Sequence, residues 1–83
     1  MKMVKINGEY IELQQLLKME DYISSGGQAK YYLQENEVYV NGELEQRRGR
    51  KLRIGDVIKI QKEEYQIAWL QTLFWKALDA FLA

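Results

Sequence analysis

The sequence predicts an α+β fold: two short N-terminal helices packed on a small, mostly antiparallel sheet (an αL motif), followed by a C-terminal amphipathic helix. Three observations carry this. Apolar residues recur at helical spacing in two short stretches before residue 36. Short β-branched runs, punctuated by Asn-Gly and Gly-Asp pairs, occupy the middle of the chain. Beyond Trp69 the apolar period changes from two to that of a helix.

Met3 to Ile6 is β-branched and is followed by Asn7-Gly8, so it reads as a strand ending in a turn. From about Glu12, Leu13, Leu16 and Leu17 form a helical stripe that runs to about Met19. Ser25, with Gln28 three residues later, has capping-box spacing and places the start of a second helix at Ser25. Its buried stripe is Ala29, Tyr32 and Leu33, leaving Lys30, Tyr31 and Gln34 outward. Gly26 and Gly27 in the first turn cost about 1 kcal/mol each relative to Ala. They imply a close backbone approach or tight packing of the second helix on the first.

Val38 to Val40, Asn41-Gly42 and Glu43 to Glu45 predict a hairpin with a type I′ turn. The stretch after it reads as a basic loop, too polar for core. Gly55-Asp56 marks a turn, and Val57 to Ile60 is a strand with Ile58 and Ile60 on one face. Lys62 to Glu64 turn the chain into a last strand through Tyr65, Ile67 and Trp69. From Leu70, Leu73, Phe74, Ala77, Leu78, Phe81 and Leu82 share one face of the terminal helix.

Composition limits the function. The chain has no Cys and no His, which removes disulfides, zinc sites of the usual kind, the commonest general base and the thiol nucleophile. Its acids are scattered, so no catalytic or metal-ligating residues are nominated, no cofactor is expected and an enzyme is not the reading. No signal peptide and no transmembrane run of about 20 apolar residues is visible, so no membrane role is expected and the expected location is cytoplasmic.

The charge is balanced overall, with 12 Lys+Arg against 12 Asp+Glu, but it is not evenly spread. Arg47, Arg48, Arg50, Lys51 and Arg53 crowd one stretch with no acid among them. Arginine pairs bidentately with phosphate and stacks on bases. A Gly-rich helix start favours phosphate, and an exposed tyrosine such as Tyr31 can stack on an unpaired base. The same charge run also suits a plain solvated loop, and Gly26-Gly27 also suits a packing turn.

The order of two short helices, VYVNG, a basic loop and GDVIKI resembles the RNA-binding domain named after bacterial ribosomal small-subunit protein S-four. The resemblance runs from about Ile11 to Ile60, anchored by Ala29, Val38, Val40, Asn41, Gly42, Gly55, Asp56 and Ile58. SGGQAKYYL, EVYVNGE and QRRGRKL together look like its small stand-alone YaaA-like branch. Where many relatives have Ser-Arg entering the second helix, this chain has Ser25 followed by Gly26 and Gly27.

The resemblance implies an RNA-binding, ribosome-associated protein whose partner is structured RNA, with ribosomal RNA or an assembly intermediate as target. Residues 1–69 are then the RNA-binding domain and 70–83 a helical extension. The implied RNA-contacting residues are Ser25, Gly26, Gly27, Gln28, Lys30, Arg47, Arg48, Arg50 and Lys51, to which the residue chemistry adds Tyr31 and Arg53. The alternative is a protein-interaction module, forming a homodimer or docking a protein partner through residues 70–83.

Overall fold

The computed structural model describes residues 1–70. Strand β1 (Lys2–Ile6) is followed by β2 (Tyr10–Glu12), helix α1 (Leu13–Met19), a 3-10 turn (Gly26–Gln28) and helix α2 (Ala29–Glu35). Then come β3 (Val38–Val40), β4 (Glu43–Leu44), β5 (Lys51–Arg53), β6 (Val57–Ile60) and β7 (Glu63–Trp69). Five strands form one sheet in the order β1-β7-β6-β3-β4, while β2 and β5 pair separately.

The register explains the core. Val4 lies opposite Ile67, Tyr65 opposite Ile58, Ile60 opposite Val38, and Ile58 opposite Val40. All of them are buried, so one face of the main sheet is continuously apolar. The helical stripes Leu13, Leu16, Leu17 and Ala29, Leu33 belong to the same cluster. Removing each such Leu or Ile from water contributes about 1.5–3 kcal/mol, which is how a chain without disulfides holds its fold. Tyr65 keeps its polar end satisfied there, its hydroxyl paired with that of Tyr22 at 2.8 Å.

The two anticipated N-terminal helices form, with one change in their capping. The Glu12 N–H donates to Gln15 Oε1 at 2.8 Å, closing the start of α1. The Ser25–Gln28 capping box does not form. Gln28 Oε1 instead accepts from the Ser24 N–H at 2.7 Å and the Ser24 hydroxyl at 2.9 Å, and the first turn is 3-10. A Cβ at Gly26 would sit 3.1 Å from Gln14 Oε1, so the glycine permits a close approach of this turn to α1.

The expected sheet and terminal helix need correction. In place of a small, mostly antiparallel sheet stands a mixed five-stranded one, because β1 runs parallel to β7, and a second two-stranded ladder lies beside it. Consecutive turns can signal hairpins, but no local pattern signals pairing between the first and last described strands. The terminal helix does not begin at Leu70. The Leu70 N–H donates to the Ile6 carbonyl at 2.9 Å, extending the β1–β7 pairing. The rest of that expected helix, residues 71–83, lies outside the described residues. The turn expected at Lys62 to Glu64 shifts as well: Ile60 pairs with Glu63, so Gln61-Lys62 make the turn.

Candidate nucleic-acid interface

The β3–β4 turn anchors the site. Asn41 and Gly42 have φ of 52° and 84°, as a two-residue type I′ turn demands. Asn41 then does more than turn the chain. Its Oδ1 accepts from the Val57 N–H at 3.0 Å, and its Nδ2 donates to Asp56 Oδ1 at 3.1 Å. The other Asp56 oxygen accepts from the Arg53 N–H at 2.8 Å. Asn-Gly and Gly-Asp, fifteen residues apart in sequence, are thus laced together, and they fix where the basic strand β5 ends.

Glu45 organises the charge run. The Glu45 N–H donates to the Val38 carbonyl, which carries the hairpin one residue past β4 and turns the side chain inward. Glu45 is the buried charged residue among the described residues, at 6% exposure. Oε2 accepts from the Gln46 and Arg47 N–H groups, each at 3.1 Å, and from Arg47 Nε at 3.0 Å. Oε1 accepts from Arg47 Nη2 and Arg50 Nη1, both at 3.0 Å. The Arg47 side-chain hydrogen bond outweighs burial and holds the Glu45 carboxyl at about 2, well below its ordinary 4.5. The same pairing raises Arg47.

Sequence reasoning alone leaves Glu45 among the scattered acids, although it stands two and five residues before two arginines at the end of a hairpin. That spacing was the available signal.

The stretch expected as loop also contains β5. Leu52 is completely buried, while Lys51 and Arg53 point the other way. On the paired strand Tyr10 lies opposite Arg53, and Glu12 opposite Lys51. Lys51 Nζ lies 4.9 Å and Arg53 Cζ 5.8 Å from the centre of the Tyr10 ring. Arg47, Gly49, Arg50, Lys51, Arg53 and Asp56 line an open groove of about 630 Å³. Two arginines held by a carboxylate and two cations beside a tyrosine leave this groove net positive, a surface suited to phosphate.

The backbone of the basic stretch also seats α1. The Leu13 and Gln14 N–H groups, unsatisfied within the helix, donate to the Arg50 and Arg48 carbonyls at 2.8 and 2.9 Å. Gln14 Nε2 donates to Glu12 Oε2 at 3.0 Å, and Glu12 Oε1 would lie 3.6 Å from a Cβ at Gly49. With Gly26 against Gln14, the turn carrying Ser25, Gly26, Gly27 and Gln28 and the loop carrying Gly49 both adjoin the start of α1. Lys30 and Tyr31 are exposed on α2 and do not line the groove. The described residues contain no cluster of three His, Cys, Asp or Glu side chains able to hold a metal ion, and no helix long and apolar enough to cross a membrane.

The probable ribosome maturation protein RlbA of Bacillus subtilis (strain 168) is 53% identical to this chain over 58 residues, which is 70% of this chain and 82% of that protein. Residues 4–68 match the S4 domain family, from within β1 to the penultimate residue of β7, a span that includes the laced turns, Glu45 and the basic groove. The chain belongs to the S4 domain family.

Proposed function

We propose that this chain binds structured RNA through the groove between Arg47 and Arg53, and that it serves ribosome maturation by contacting ribosomal RNA. The observation that carries the reading is the groove itself: four cationic side chains from a loop and a strand converge on one open concavity. The name of its Bacillus subtilis relative supports the ribosomal target.

Binding is electrostatic and geometric. Glu45 holds the Arg47 and Arg50 guanidinium groups in place, so less side-chain freedom is lost when they meet phosphate. Arg47 keeps a side chain that is 74% exposed despite the ion pair, so its outer N–H groups remain available. Arg48, Lys51 and Arg53 add cations that Glu45 does not neutralise. Ser25 to Gln28, with Lys30 and Tyr31 beyond them on α2, form a second contact region across the start of α1. Phosphate contacts fix position without reading sequence, so the groove recognises RNA shape.

The test uses Lys51→Ala combined with Arg53→Ala, since both side chains line the groove, neither bonds Glu45 and the Arg53 N–H that donates to Asp56 is retained. Ribosomal RNA fragments are titrated by fluorescence anisotropy over a series of salt concentrations. Loss of two phosphate contacts flattens the log–log salt dependence by roughly 1.4–1.8. Equal affinity and slope for wild type and variant, or no binding by wild type, overturns the proposal.

A further inference from the structure

Tyr10 stands at the edge of the basic groove, beside Lys51 and Arg53. It is 42% exposed, although Leu52, which pairs with the adjacent Ile11 across the ladder, is fully buried. Its ring carries two cations, Lys51 at 4.9 Å and Arg53 at 5.8 Å, and both also line the groove. The β2–β5 ladder fixes the backbone that carries the ring, because Tyr10 is paired directly with Arg53, whose N–H is tied to Asp56. Tyr31, at 64% exposure, has no cation over its ring among the described residues and lies off the groove.

A half-exposed aromatic beside two cations matches the two parts of one nucleotide. A base stacks on an aromatic face or exchanges for a guanidinium already lying there, and its phosphate meets the adjacent cations. A fully paired duplex offers no free base face at this position, whereas a bulge or loop does.

We infer that Tyr10 is a base-stacking platform: the RNA this protein recognises presents an unpaired nucleotide whose base stacks on Tyr10 while Lys51 and Arg53 hold its phosphate. This rests on the RNA-binding reading above and narrows the ligand class to structured RNA with an extrahelical base.

The experiment compares two RNA hairpins of identical stem, one fully paired and one with a single bulged 2-aminopurine. Each is titrated with wild type, Tyr10→Phe and Tyr10→Leu. Wild type should favour the bulged hairpin by roughly ten-fold, the scale of one stacked base, and quench the 2-aminopurine on binding. Tyr10→Phe keeps both effects. Tyr10→Leu loses both, yet binds the paired hairpin as wild type does and with the same salt slope.

A preference and quench that survive in Tyr10→Leu overturn the inference. So does salt-dependent binding by wild type without preference or quench, and in that case the RNA-binding reading stands. If wild type binds neither these hairpins nor ribosomal RNA fragments, the RNA-binding reading itself fails and the inference falls with it. Should Tyr10→Leu fail to fold, Tyr10→Val, which suits a strand and has no ring face, takes its place with the same expected and overturning results.

Discussion

Replacing Glu45 with Gln tests whether a buried carboxylate organises the basic stretch. A carboxyl held at about 2 instead of its ordinary 4.5 has its charged form favoured by about 3 kcal/mol in the folded protein. Arg47 is largely exposed, so solvent screens part of that, and the amide oxygen of Gln keeps some backbone hydrogen bonds. A loss of roughly 1.5–2.5 kcal/mol at neutral pH is therefore expected, a sizeable share of the total for a domain this small. With a urea slope near 1 kcal/mol/M, the denaturation midpoint falls by roughly 1.5–2.5 M.

The pH dependence gives the sharper readout. The folded-state value lies below the unfolded one, so Glu45 contributes its full stability above about pH 4.5 and loses it as pH falls towards 2. Urea titrations of wild type and Glu45→Gln at several pH values should diverge at neutral pH and converge near pH 2. Identical midpoints at pH 7, or a gap that persists unchanged at pH 2, refutes the reasoning.

Two further substitutions probe how the site is held. Leu52→Ala removes a completely buried side chain from the middle of β5 and should cost about 2–5 kcal/mol by urea denaturation; a cost below about 0.5 kcal/mol shows that β5 is not anchored in the core. Asn41→Gly keeps the positive φ that the turn requires but removes the bonds to Val57 and Asp56. It should cost about 1–2 kcal/mol and speed amide exchange at Arg53 and Val57, and unchanged exchange there rules out the lacing.

The pieces held by local forces were legible from residue order alone. Leucine spacing set α1, positive-φ chemistry set the Asn41-Gly42 turn, and alternation set β6 with Ile58 and Ile60 inward. Order and spacing of these pieces were enough to identify the family. Clustering of Arg47 to Arg53 marked where charge concentrates, because neighbouring residues stay neighbours in the fold.

Tertiary structure decided what depends on distant partners. The parallel pairing of β1 with β7 joins segments with most of the chain between them. β2 and β5 are three residues each, too short to announce themselves, and each is defined only by the other. That pairing buries Leu52, turns Lys51 and Arg53 outward and sets the Tyr10 ring beside them. Glu45 lies close to its arginines in sequence, yet its burial follows from the hairpin continuing past β4 to the Val38 carbonyl. A carboxylate taken out of water must find cations, and the fold leaves Arg47 and Arg50 as the pair within reach.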